Sequence, residues 1–224
     1  MRMKIFLSLI FFLFPWGLRR RLLNLLFGYQ IHPDARIGLS LIVPEQLVME
    51  AGAVIGSFNV CRGVELLHMG ERSIISRMNW ITGMPRSQSK FFLHKKDRHP
   101  SLRLGAHSAI TSSHYLDCTD EIRIGEFTTI AGLSTQFLTH SIDLYESRQD
   151  CQPISIGDYC FVGTRSVLLP GAALGDYNVL AAASLLNKKF VRKQVLIGGV
   201  PAKVIKYLPI AKVKYFSRTD GFIS

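Results

Sequence analysis

Residues Ile156–Leu185 read IGDYCF VGTRSV LLPGAA LGDYNV LAAASL, five consecutive blocks of six. The first position of every block is Ile, Val or Leu. The fifth is small in every block: Cys160, Ser166, Ala172, Asn178 and Ser184. A period of six matches neither a helix of 3.6 residues per turn nor the plain alternation of a strand. It matches a triangular solenoid in which each block supplies one short strand and one corner, and three blocks close a coil. The apolar first residue is expected to point into the prism, and the small fifth residue to fit the crowded corner. Each coil then buries the core of its neighbour, which makes the fold quasi-one-dimensional.

The template continues towards the N-terminus. Blocks begin at Leu104, Ile110 and Leu116, and again at Ile124 and Ile130. A looser phase runs through Ile37, Val43, Met49, Ile55, Cys61 and Leu67, then through Met69, Ile75 and Ile81. The phase slips by two near Leu67–Met69 and Ile122–Ile124, as an extra residue or a bulge in a coil would produce. Two stretches break the repeat outright, residues 84–101 and 136–155. Excursions from a solenoid are where chemistry is usually carried.

The 224 residues, 48% of them hydrophobic, suit one domain with short appendages, and only 19% are charged, which argues against disorder. The formal net charge of +11 is concentrated. Residues 1–36 hold six basic side chains against Asp34, and Lys188 to Arg218 adds nine with no acid between. Such clusters favour phosphates or a membrane surface. Nucleic acid is not expected, because no helix-turn-helix, zinc finger or aromatic-basic RNA motif accompanies the charge. Cys61, Cys118, Cys151 and Cys160 form no CxxC pair and read as reduced thiols of a cytosolic protein.

The N-terminal KIFLSLIFFLFPWG is too short to span a bilayer, which takes about 20 apolar residues. With the following LRRRLLNLLFGY it reads as an interfacial helix on an anionic inner leaflet, or as a helix packed on its own protein or on a neighbouring copy. The chain therefore divides into a helical, apolar and basic segment 1–30, an all-β solenoid 31–187 and a basic segment 188–224, the last expected to be helical.

PISIGDYCFVGTRSVLLPGAALGDYNVLAAASLLNK and IGGVPAKVIK resemble the last coils and closing segment of the hexapeptide-repeat acyltransferases. LTHSIDL resembles the segment carrying that family's catalytic histidine, with Thr139, His140, Pro153, Ile154, Ile156 and Gly157 in matching order and Ser141 where many relatives have proline. The resemblance implies a left-handed parallel β-helix working as a homotrimer and transferring an acetyl group from acetyl-CoA to a hydroxyl of a sugar or glycan. His140 would then be the general base, a role suited to the side chain whose pKa lies nearest neutrality. Asp143 and Glu146 are local candidates for the carboxylate that orients it. HYLDCTDEIRIGEFTTIAG is similar to a segment of bacterial polysaccharide acetyltransferases, which adds His114 and Asp117 as site candidates. For CoA the resemblance points to Gly163, Thr164, Ala181, Ala182, Ser184, Lys188 and Lys203.

The plainer readings stand beside these. His114 is equally a corner residue hydrogen-bonded within the solenoid, and alanine or glycine at a corner is what the fold itself requires. A γ-type carbonic anhydrase shares the solenoid and binds zinc through histidines. Here only His94 and His99 have its HxxxxH spacing, within a basic excursion that also holds Arg86, Lys90, Lys95, Lys96 and Arg98. That excursion covers a site, meets an anionic group, or is simply a variable surface loop. No metal is expected. A non-catalytic scaffold at the membrane is the remaining alternative. The cysteines and the apolar, basic N-terminus together lead to the expectation of a cytoplasmic protein, peripheral to the inner face of the membrane.

Overall fold

The computed structural model describes residues 2–88 and 90–221. Two helices, α1 (Arg2–Phe11) and α2 (Trp16–Phe27), precede a left-handed parallel β-helix with three faces. Face A runs from Gln30–Ile31 to Lys189–Phe190 and has eight strands among the described residues. Face B runs from Arg36–Ile37 to Val195–Gly198 and ends in the antiparallel strand Lys203–Tyr207. Face C runs from Leu41–Val43 to Leu185–Leu186.

The strict repeat has its expected register. Ile156 lies opposite Leu174, Val162 opposite Leu180 and Leu168 opposite Leu186, and all six are buried. The phase slips have a simple cause. On face A the strands Gln46–Met49, Leu66–Met69 and Ser101–Leu104 are four residues long and turn two apolar side chains inward instead of one, such as Leu67 with Met69 and Leu102 with Leu104. One phase assignment changes. Ile42, not Val43, pairs with Cys61 in the core row, and Val43 is buried on the outer surface beside α1.

The small fifth residues do more than fit a corner. Cys160, Ser166, Ala172, Asn178 and Ser184 are all buried, and the side chains of the four that are polar bond between coils. Asn59 Oδ1 accepts from the backbone N–H of Asn79 at 2.9 Å, and Asn79 Oδ1 accepts from that of His114 at 2.9 Å. Strand ends next to a corner leave backbone groups without ladder partners, and buried groups of that kind need one.

The solenoid continues past residue 187. Phe190 pairs with Leu174 and Ile197 with Leu180, sixteen and seventeen residues on rather than eighteen, so a strict hexad misses this coil. The remaining tail holds no α-helix among the described residues. It forms the strand Lys203–Tyr207 and two 3₁₀ turns, and then folds back across the coils. There His107, Phe127, Tyr159 and Tyr177 stack at 4.7, 4.8 and 5.2 Å, close to the strand spacing of about 4.8 Å. Phe216 meets Tyr177 edge-on, and the Tyr215 hydroxyl donates to the Cys160 carbonyl at 2.8 Å. Anchoring by rings to a flat stack favours extended and turn backbone over a helix.

The basic N-terminus is largely turned inward. Lys4 Nζ donates to the carbonyls of Pro44 and Glu45, buried Arg19 donates to Gly38, and Arg20 donates to Ile31. Among the described side chains, those that α1 leaves exposed are apolar, Met3, Phe6 and Leu9 among them, and Leu13 is exposed just after it. Among the described residues no helix is long and apolar enough to cross a membrane. All four cysteines are free and buried.

Close stacking sets a limit on substitution at the corners. A Cβ on Gly56 would lie 2.0 Å from the Ser76 carbonyl oxygen of the next coil, and that backbone cannot rotate away. Gly56→Ala is expected to cost about 1–3 kcal/mol, read as a lower midpoint in urea unfolding.

Candidate active site

The second excursion is an antiparallel hairpin of His140–Asp143 and Arg148–Cys151, with His140 opposite Cys151. It leaves the solenoid where the face C strand Gln136–Leu138 would turn towards face A. Asp143 closes its turn, since Oδ1 accepts from the backbone N–H groups of Tyr145 and Glu146. The Asp143 carboxylate is thus occupied at the far end of the hairpin.

The carboxylate on His140 belongs to Asp117, at the end of the neighbouring face C strand Tyr115–Asp117. His140 Nδ1 and Asp117 Oδ2 are 2.5 Å apart. The same oxygen accepts from the backbone N–H of Thr139 and of His140, each at 3.1 Å. Oδ1 accepts from the Thr119 N–H at 3.1 Å and from its hydroxyl at 2.7 Å. Thr139 is buried and joins the two coils, its hydroxyl donating to the Asp117 carbonyl and accepting from the Asp120 N–H.

Electrostatics follow from this crowding of donors. Burial alone would raise the Asp117 pKa, but the hydrogen bonds from His140 and Thr119 outweigh it and hold the carboxyl below its usual value. The hydrogen bond to Asp117 raises the pKa of His140, with burial opposing. An ionised Asp117 fixes the tautomer with Nδ1 protonated, assigned from the hydrogen-bond network. Nε2 then carries the free lone pair and has no partner among the described residues.

His140 lies on the rim of a cavity of about 450 Å³ whose lining includes Arg62, Thr82, Met84, Phe91, Tyr115 and Asp117. The first excursion forms one of its walls. Phe92 is buried with its ring edge-on to His140, centroids 6.2 Å apart. Lys95 Nζ pairs with Asp150 of the hairpin at 2.8 Å, and His94 faces the same carboxylate at 3.6 Å. Arg98 is buried and holds the excursion down by donating to the Met84 and Thr119 carbonyls. His99 engages through its backbone N–H, which donates to Asp120. Among the described residues no three His, Cys, Asp or Glu side chains gather as metal ligands would.

His114 sits elsewhere, inside the solenoid at the corner between faces B and C. Its Nδ1 accepts from the Thr135 N–H at 3.1 Å and its Nε2 is 2.9 Å from the Thr111 hydroxyl. It continues the Asn59–Asn79 ladder, and burial pushes its pKa down to about 4.

The residues named for CoA divide between two edges. Gly163 with Thr164 and Ala181 with Ala182 stack at the corner between faces B and C; a Cβ on Gly163 would lie 2.5 Å from the Ala182 nitrogen. Thr164 bonds back one coil to Leu133. Ser184 points inward, its hydroxyl accepting from the Gly199 N–H. Lys203 lies next to this edge, paired with Gly198. Lys188 is at the corner between faces C and A, the edge that carries His140 and the cavity.

Arg62, Thr82, Tyr115 and Thr119 were not singled out from the sequence. A signal existed: on face C the residue after the inward apolar one is Arg62, Thr82, Asp117 and Leu138 in successive coils. Aligning the coils rather than the hexads would have shown the row.

No family model matches the chain. The Bacillus subtilis protein YvoF, assigned as an acetyltransferase, is 33% identical over 86 residues, which cover 38% of this chain and 48% of that protein. The galactoside O-acetyltransferase of Escherichia coli is 32% identical over 89 residues, covering 38% and 43%. The matched part thus spans less than half the length of either curated relative. A solved hexapeptide-repeat acetyltransferase from Vibrio cholerae is 28% identical with a TM-score of 0.52, covering 63% of this chain and 74% of its own. The same acetyltransferase is also known in complex with acetyl coenzyme A. In sequence and in fold the chain resembles the hexapeptide-repeat acetyltransferases.

The ladder position of His114 predicts a pH effect on stability. Its folded pKa lies below the unfolded value, so the unfolded chain binds more protons between about pH 6.5 and 4, and stability falls as pH falls through that window. The full effect is on the order of 3 kcal/mol. His114→Asn, which repeats the side chain of Asn59 and Asn79, is expected to flatten that dependence when thermal midpoints at pH 7 and pH 4.5 are compared.

Proposed function

We propose that this chain transfers an acetyl group from acetyl-CoA to a hydroxyl of a sugar or glycan, with His140 Nε2 as the general base. The observation that carries the reading is the His140–Asp117 pair: an imidazole tautomer fixed by a buried carboxylate, on a ring that lines a cavity. The acetyltransferase names of the relatives and the acetyl coenzyme A complex of the Vibrio cholerae protein support the donor, and the Escherichia coli relative supports a sugar acceptor.

The acceptor hydroxyl donates its proton to Nε2 as its oxygen attacks the thioester carbonyl. Collapse of the tetrahedral adduct breaks the C–S bond, and the imidazolium returns the proton to the departing CoA sulfur. The charge that appears on the ring during the reaction is matched by the Asp117 carboxylate, already held by three backbone N–H groups and a hydroxyl. General base catalysis of this kind is worth about 10²–10⁴ in rate.

The reading includes a homotrimer, and the placement of the groups supports contact between copies. The residues named for CoA at the corner between faces B and C lie across face C from His140, so a donor touching both is most simply held between two copies. The reading includes attachment to the inner surface of a membrane, in the cytoplasm, where a lipid-linked acceptor would be met, and the exposed apolar side chains of α1 support an apolar contact of that kind. Since Lys4, Arg19 and Arg20 turn inward, apolar contact supports this attachment more than charge does.

His140→Ala is expected to lower acetyl-CoA-dependent acetylation of a glycan panel at least 100-fold, followed by release of the CoA thiol; full activity in the variant would overturn the assignment. Because Asp117 raises the His140 pKa, kcat/KM should fall as pH drops through a value above the usual 6.5 or so. Asp117→Asn should move that acidic limb to lower pH as well as reduce the rate. Binding to vesicles of anionic lipid, measured by co-sedimentation, should be lost in a Phe6→Asp, Leu9→Asp double variant that keeps its circular dichroism spectrum.

A further inference from the structure

The acetylation reading uses His140, Asp117, Thr119 and Thr139 but leaves a cation in the same cavity without a task. Arg62 ends the face C strand Val60–Arg62. In register, Arg62 lies opposite Thr82, Thr82 opposite Asp117, and Asp117 opposite Leu138. Neighbouring strands are about 4.8 Å apart, so the Arg62 backbone is about 10 Å from that of Asp117, along a row on the outer surface. In the other direction the row ends at Val43, buried beside α1. Arg62 is therefore the last open position before the helices close the groove.

Its surroundings suit recognition rather than support. Arg98, which holds the neighbouring excursion, is buried and bonded to two carbonyls; Arg86, on the same excursion, is paired with Glu65. Arg62 is exposed, and its guanidinium has no hydrogen bond or ion pair with any described residue. Among the described residues the only acid lining the cavity is Asp117, whose oxygens are taken by Thr119, Thr139 and His140. Met84, Pro85 and Phe91 supply apolar wall, which excludes water and strengthens a charge interaction. A guanidinium offers a planar fork that fits a carboxylate or phosphate with two parallel hydrogen bonds.

We propose that Arg62 is the anion-recognition residue of the acceptor subsite, so that the acceptor is a sugar bearing a carboxylate or a phosphate, bound with its charge at Arg62 and a hydroxyl at His140. This rests on the sugar O-acetylation reading above. The cavity extends from His140 towards the N-terminal coils, whereas the positions named for CoA lie on the later coils, which assigns the anion to the acceptor rather than to a CoA phosphate. The Arg62 backbone lies two strand spacings from that of Asp117 and three from that of Leu138, which precedes His140, a gap that the long Arg62 side chain and one charged sugar span together.

The test uses matched acceptors: methyl glucoside with methyl glucuronide, methyl galactoside with methyl galacturonide, and glucose with glucose 1-phosphate. The wild type is expected to favour the charged member of at least one pair 10-fold or more in kcat/KM, chiefly through KM. Arg62→Gln should abolish the preference and Arg62→Lys should retain part of it. Calorimetry with His140→Ala should show the same charge preference in binding, without turnover. Equal or better use of the neutral member in every pair overturns the proposal, as does a preference that survives Arg62→Gln. A raised KM for acetyl-CoA in Arg62→Gln would assign the guanidinium to a CoA phosphate and overturn it too. If acetyl-CoA binds but no pair is acetylated, the sugar-acceptor reading itself fails and takes this inference with it.

Discussion

Coils stacked in parallel register, one strand spacing apart, impose the constraint on which everything else in this molecule depends. With neighbours about 4.8 Å above and below, a side chain at a given position of one coil touches the same position of the next. Apolar first positions therefore line up as continuous rows such as Ile156–Leu174 and Val162–Leu180, dry because both neighbours are apolar. Corners cannot complete the strand ladder, and buried Asn59, Asn79, His114 and the small polar residues of the later coils supply the missing bonds. The stack of His107, Phe127, Tyr159 and Tyr177 is the same rule on the outside, with rings repeating at the spacing of the backbone.

The same constraint builds the candidate site. The chain leaves the solenoid only at corners, because a strand interior is hydrogen-bonded on both sides. The hairpin that starts at His140 departs at the corner where Asp117 ends its own strand, one coil below. Residues twenty-three apart in sequence are thereby brought to 2.5 Å, and a single carboxylate orders the departing backbone as well as the imidazole. The other excursion is bound to the first by Lys95 and Asp150 and to the solenoid by Arg98, so that Phe92 packs against His140. Loop and scaffold are joined through charged groups that would be costly to leave unpaired.

Much of this was legible in the amino acids. The period of six carried the solenoid, and its two interruptions carried the excursions, because chain that leaves a regular stack abandons the pattern of burial. His140 stood out by its place in one of them. The partner of His140 was not legible in the same way. Asp143 and Glu146 are nearer in sequence, but the hairpin carries them away from the ring and uses Asp143 to close its turn. Hexad phase also could not show that most of the positions named for CoA occupy a different edge from His140, with Lys188 alone on the same one, since a period of six treats all three corners alike.

The sequence by itself determined which residues face inward and where the chain departs from the stack, because burial and corner sterics act on each block of six locally. Only the tertiary structure decided which side chains meet across coils: Asp117 with His140, Arg62 in line with Thr82, and His114 within the ladder. Coil lengths vary with face A strands of three or four residues and with the size of the excursions. A pairing between coils therefore depends on the summed length of everything between its members, and the hydrogen-bonded register alone sets it.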